Sequence, residues 1–355
     1  MGELPEVHRQ AIVVAAHTDI VASGVDSWRI QGETKVLERR HMPTLRAGGV
    51  TVICEHIGGD SRYGYLPATH IRTTPLQRVM RNLDHVYMEK QESESIVIAR
   101  TVADICQAKQ EDKVALVICF EGASPLEDEL SYLRNFHRLG LRMLGLTHDR
   151  RNSVAEGVLE RSGGGLTYFG EDVVKECNRL GIVVDAAHLS RKGIEDVLEI
   201  SSHPIIVSHG NADAVHPIIW NLTDDQIKAI AQRGGVIAVH ALNVVVSSSQ
   251  RPTLNDLLRH ITHMAEVGGV GCVGIGPDLM ENWQEDLFKL ITQGVPKFMS
   301  VPVKRFDFSY PVGMSSLAEL PNITVGLLSL GFSKEEVTKI LGGNCLRLFE
   351  QVWGS

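Results

Sequence analysis

The chain has 355 residues, 43% of them hydrophobic and 22% charged, with a formal net charge of −8 at pH 7. This length suits one large α/β domain spanning residues 1–355. The composition excludes a disordered chain, and the negative balance argues against nucleic acid as the main partner. A small-molecule substrate is the expectation.

The chain opens Met-Gly-Glu-Leu-Pro-Glu and enters an apolar run by residue 11, with neither a basic n-region nor an h-region. Gly2 is followed by Glu6 where a myristoylation signal needs Ser or Thr. No apolar stretch is long enough to span a bilayer. The six cysteines form no C-x-x-C pair, and several sit inside apolar runs, where cysteine serves as a small core residue. A reducing compartment, the cytoplasm, and no membrane association are therefore expected.

In chain order, strands are predicted over 11–16, 49–55, 114–120, 142–146, 182–187, 204–208, 235–240 and 271–276. They are near-continuously apolar, as strands covered on both faces must be. A ninth run, 95–99, reads as an accessory strand. Helical patterns lie between them. Leu126, Leu130, Leu133 and Phe136 place a helix over 126–139. Thr223 with Gln226, and Ser333 with Glu336, read as capping boxes. Eight β–α units point to a (β/α)8 TIM-type barrel, with a doubly wound open sheet as the alternative. Two stretches break the rhythm. Residues 56–75 read as a long loop after the second strand, and residues 281–312 as a flap over the C-terminal face, a common use of long βα loops.

The strand ends carry the chemistry. The first run stops at His17-Thr-Asp19, the third at Glu121, the fifth at His188 and the sixth at His209. Residues two apart in extended chain project to one side, so His17 and Asp19 can serve one site. Glu121 has two oxygens and could bridge two metals, and His188 with His209 could complete the second. Imidazole and carboxylate ligands suit zinc, with manganese, iron or cobalt as alternatives. Asp278, at the end of the last strand, is placed to shuttle protons beside an activated water. His56 and His240 also end strands and are candidates for the pocket wall or for structural roles. His8, His41, His70, His85, His137, His260 and His263 fall in helical or loop contexts and read as surface or packing residues.

These motifs resemble the membrane dipeptidase (renal dipeptidase) family, peptidase family M19, a branch of the amidohydrolase-like metal-dependent barrels. The resemblance rests on His17-Thr-Asp19, Phe120-Glu121-Gly122, the segment Leu139 to His148, Asp185-Ala-Ala-His188, Val207-Ser-His209, Gly276-Pro-Asp278 and two stretches of the tail. It implies two zinc ions, one held by His17, Asp19 and Glu121 and the other by Glu121, His188 and His209. It further implies that His148 contacts the scissile carbonyl, and that Asp278 takes a proton from the metal-bridging water and passes it to the leaving amine. Family members are often dimers, so the resemblance allows a homodimer. One departure stands out. Trp220, followed by Asn221 at the substrate wall, replaces an arginine that grips the substrate's C-terminal carboxylate. Either another cation (Arg150, Arg151, Lys304 or Arg305) takes that role, or the substrate lacks the carboxylate. Met280 also stands where a second aspartate is expected. The reading is a metallo-dipeptidase cleaving small dipeptides. The alternative is the same machinery turned to another small amide or related bond. A non-catalytic scaffold is disfavoured, because every expected ligand is present.

Overall fold

A computed structural model describes residues 4–60, 73–281 and 309–354. Nine strands form one parallel sheet: β1 (Val14–Thr18), β2 (Val52–Gly59), β3 (Ile96–Ile98), β4 (Val114–Glu121), β5 (Leu141–Gly145), β6 (Val183–Asp185), β7 (Ile206–Val207), β8 (Val236–Val239) and β9 (Val273–Ile275). The order β1-β2-β4-β5-β6-β7-β8-β9 runs without reversal, and β9 packs beside β1. The result is a nearly closed (β/α)8 barrel rather than an open doubly wound sheet, which would reverse its strand order part-way. β3 is the accessory strand: it pairs with residues 114–116 of β4, and β5 pairs with residues 118–121.

Along the strands, alternate residues face the barrel axis. Near the bottom the inner layer is small and apolar: Val52 and Cys54, Ala115, Val117 and Cys119, Val183, Ile206, and Val236 with Ala238. The final helix (Asn344–Trp353) sets Cys345, Leu348 and Phe349 against this layer and closes the base. Continuing the same alternation upward changes the chemistry. His56 follows Cys54, Glu121 follows Cys119, Asp185 follows Val183, Ser208 follows Ile206 and His240 follows Ala238. The period of two that builds the core thus delivers a ring of polar side chains to the C-terminal rim. In β1 the register with β2 shifts between Ala15 and Thr18, and the shift lets His17 join that ring. A larger apolar layer on the outer face joins strands to helices through residues such as Ile53, Leu116, Ile118, Phe120 and Leu144.

Two expectations change in detail. The helix predicted over 126–139 is instead a short 3-10 turn, Ser124–Leu126, and a helix over Leu130–Arg138. Glu127 and Asp128 both adopt left-handed backbone (φ 44° and 61°), which no continuous right-handed helix allows. The loop predicted from residue 56 begins later, because β2 runs on to Gly59. Gly59 lies so close to Glu121 that a Cβ there would stand 1.8 Å from the Glu121 carbonyl oxygen. A helix then starts at Pro75, with Thr74 and Gln77 forming a capping box, and residues 61–72 lie outside the described residues. Of the flap segment 281–312, residues 282–308 also lie outside them, including Lys304 and Arg305. Its far end is tied down: Asn243 N–H donates to the Ser309 carbonyl (2.9 Å), and Leu254 N–H to that of Val312 (2.9 Å).

The capping boxes at Thr223/Gln226 and Ser333/Glu336 are both formed. His8 and His260 are packing residues held by hydrogen bonds, His8 to Thr324 and the Gly48 carbonyl, and His260 to Ala212 N–H and the Val246 carbonyl. His70 lies outside the described residues. The six cysteines form no disulfide. Among the described residues no helix is long and apolar enough to cross a membrane.

Candidate metal centre

At the rim, the polar ring converges on one carboxylate oxygen. Glu121 Oε1 lies 3.2 Å from His188 Nε2, 3.8 Å from His17 Nε2, 3.8 Å from His148 Nε2 and 3.9 Å from His209 Nε2. Glu121 ends β4 and is followed by Gly122 at φ 106°, where a Cβ would stand 2.2 Å from the Asp60 carboxyl carbon. Asp60 in turn accepts from the backbone N–H groups of Ser124 (2.9 Å) and His148 (3.1 Å), fastening the β2, β4 and β5 ends together.

On one side of Glu121 stand His17 and Asp19, with His17 Nε2 3.8 Å from Asp19 Oδ1 and 3.6 Å from Asp278 Oδ1. On the other side, His188 and His209 bring their Nε2 atoms within 2.7 Å of each other. His188 takes left-handed backbone (φ 61°), and so does Asp278 (φ 55°). Such conformations are costly for side-chain-bearing residues and tend to persist where function demands the placement. Asp278 Oδ2 lies 3.0 Å from His240 Nε2. The His17 ring stacks on His56 (centroids 3.8 Å apart), and His56 Nε2 lies 3.7 Å from Asp185 Oδ2.

The donor set fits divalent cations. His17 Nε2 is buried and has no hydrogen-bond partner among the described residues, although it faces three carboxylates. His17, Asp19 and Glu121 offer ligand atoms within 4.8 Å of one another, and so do Glu121, His148 and His188, and His17, His209 and Asp278. Burial, then the charges of Glu121 and Asp278, push the Asp19 carboxyl well above its ordinary range. Packing several acids into a dry rim is costly unless a cation compensates. Burial and the neighbouring His56 lower His17 to about 3, and burial likewise pulls His209 well down, so both imidazoles are neutral and have lone pairs to give.

A supporting layer holds this set. Asp149 Oδ1 lies 3.0 Å from His188 Nδ1 and accepts the indole N–H of Trp220 (2.7 Å); its other oxygen lies 3.9 Å from His148 Nδ1. Burial works to raise the Asp149 carboxyl, but His148, His188 and these hydrogen bonds outweigh it and hold it at about 2. Ser208 Oγ sits between His17 Nδ1 (3.2 Å) and His209 Nδ1 (3.0 Å). Asp185 accepts the N–H groups of Ala187 (3.0 Å) and Ser208 (2.9 Å). Glu55, raised to about 7 by burial, accepts from the Thr18 hydroxyl (2.7 Å) and from Ile20 and Val21 N–H (3.2 and 2.6 Å), shaping the turn that presents Asp19.

The seven residues proposed from sequence as ligands or catalytic groups therefore gather in one cluster, six of them around Glu121. Trp220 joins them through Asp149, and Asn221 lines the same pocket as His188, His209 and Trp220 while its amide donates to the His216 and Val245 carbonyls (2.8 and 2.9 Å). Asp149, Asp185, Ser208 and Glu55 were not singled out from sequence. Asp149, Asp185 and Ser208 lie next to, or three positions before, a histidine of the cluster, and Glu55 precedes the strand-end His56; that adjacency was the available signal.

Residues 1–286 match the Membrane dipeptidase (Peptidase family M19) family. The chain belongs to that family of metal-dependent hydrolases. It is 28% identical over 280 residues to the dipeptidase tcpJ of Claviceps purpurea; the match covers 78% of this chain but only 58% of that relative's length. Its fold is similar to an amidohydrolase of Pseudomonas aeruginosa (25% identity, TM-score 0.82, 99% of each chain covered). It is also similar to a metallopeptidase of Rhodobacter sphaeroides solved with a phosphinate mimic of the dipeptide L-Ala-D-Ala (23% identity, TM-score 0.79, covering 97% of this chain and 100% of that one).

Proposed function

We propose that this member of the family is a zinc-dependent dipeptidase that hydrolyses small dipeptides at the rim centred on Glu121. The observation that carries the reading is the convergence of four imidazole Nε2 atoms on Glu121 Oε1 within 3.2–3.9 Å, with Asp19 and Asp278 beside them. His17, Asp19 and Glu121 would hold one zinc ion, and Glu121, His188 and His209 the other. When bound, such a pair acidifies a water molecule and polarises a carbonyl.

The chain's own residues would do the rest. Asp278 is supported by His240 at 3.0 Å and presents its other oxygen 3.6 Å from His17 Nε2. There it can take the proton lost by the attacking water and return it to the amine as the C–N bond breaks. His148 is partly exposed at the mouth and keeps Nε2 3.8 Å from Glu121 Oε1. It is positioned to donate to the carbonyl oxygen as negative charge develops there.

Two measurements test the reading. Elemental analysis of protein purified without chelator should find about two zinc ions per chain. A panel of dipeptides with L- or D-residues at the second position should show turnover that is lost on chelation and restored by zinc. Absence of bound metal together with no turnover across the panel would overturn the proposal.

A further inference from the structure

The position where the resemblance implies a carboxylate-gripping arginine holds an indole that is already engaged. Trp220 has a single N–H and no acceptor, and that N–H donates to Asp149 Oδ1 at 2.7 Å. The same oxygen lies 3.0 Å from His188 Nδ1. His188 in turn lies at the metal centre, with Nε2 2.7 Å from His209 Nε2 and 3.2 Å from Glu121 Oε1. The three side chains form a line from the substrate wall to the ligand cluster. Asp149 is buried, and Trp220 is only partly exposed.

We propose that Asp149 and Trp220 act as one positioning and specificity element, clamping His188 for metal and closing position 220 to a substrate carboxylate. The clamp half follows from tautomer chemistry. With the proton on Nδ1 directed at Asp149, Nε2 keeps its lone pair for a cation. The indole N–H fixes the carboxylate so that it cannot swing away. The specificity half follows from charge. A substrate carboxylate laid against Trp220 meets an aromatic face backed by a buried carboxylate, and like charges at short range repel. An arginine at 220 would not restore the grip, because Asp149 would capture its guanidinium as a bidentate partner. This half rests on the dipeptidase reading and refines its substrate class: a dipeptide-sized amide whose end at this wall is uncharged is accepted at least as well as a free dipeptide.

Zinc affinity of the metal-free full-length chain, measured by competition with a chromophoric chelator, tests the clamp without any substrate. Asp149→Asn should weaken the tighter-held or weaker-held ion by about 10–100-fold, and Trp220→Phe by less. Unchanged affinity in Asp149→Asn, with circular dichroism showing it folded, overturns the clamp. The specificity half is read as a ratio of kcat/KM for a free dipeptide and its C-terminal amide. The wild type should cleave the amide at least as well as the free dipeptide, and Trp220→Arg should behave likewise. The double variant D149N/W220R should shift preference to the free dipeptide by about tenfold or more. A wild type that rejects the amide, or a single Trp220→Arg as selective as the double, overturns it. If zinc binds but neither peptide is cleaved, the dipeptidase reading and the specificity half fall together, and the zinc titration still decides the clamp.

Discussion

The two sides of Glu121 are built differently. The His17–Asp19 side comes from one strand end. Its ligands are two residues apart, and its support, Glu55 beneath the Thr18 turn, comes from the neighbouring strand. The His188–His209 side is assembled from two strand ends, and His188 is held by Asp149 and Trp220 from two further loops. The ligands of the first side are local in sequence. The second depends on several segments meeting, so it is where small changes can retune the site without dismantling it.

Glu121 is common to both sides, and its loss should collapse the distinction. Glu121→Ala should remove most bound metal and lower turnover by at least about 100–1000-fold; plasma mass spectrometry and steady-state kinetics read the two effects. Full metal content in that variant would show that the sides bind independently of it. Asp278→Asn should separate chemistry from binding, cutting turnover by about 100–10,000-fold with metal content intact. Near-normal turnover would remove Asp278 from the reaction.

Ser208 sharpens the comparison, because its hydroxyl touches Nδ1 of both His17 and His209. Ser208→Ala should weaken metal on both sides, by about tenfold each in chelator competition. A loss confined to one ion would show which imidazole relies on it.

The last prediction concerns the fold outside the cluster. Burial lowers His41 and His260 to about 4 from 6.5. Their native forms are neutral, so between pH 6.5 and 4 the unfolded chain binds protons that the native chain does not, and stability falls as pH falls. Each histidine should cost up to about 3 kcal/mol by pH 4. Thermal melts of the metal-free protein from pH 7.5 to 4.5 should show this decline. A flat profile would mean that these rings are protonated in place.

Much of this was readable beforehand. Continuous apolar runs ending in His17, Glu121, His188 and His209 announced both a parallel sheet and ligands at one rim, because residues at strand C-termini of a barrel share a mouth. Strand edges were misplaced by a few residues, and the helix predicted over 126–139 was split by Glu127 and Asp128. A left-handed pair leaves no mark in hydrophobic spacing. The supporting residues were harder to see. Asp149 and Trp220 are 71 positions apart, and neither belongs to a periodic pattern.

By itself, then, the amino-acid sequence determined which residue types stand at the strand ends and that the strands between them are buried on both faces. Those follow from local periodicity and from the cost of leaving apolar surface in water. The tertiary structure decided which of those residues share an oxygen of Glu121, that β1 slips its register so His17 turns inward, and that Trp220 points its N–H at Asp149. These are distances between segments far apart in the chain, set by how the barrel closes and its loops pack, and no local pattern encodes them.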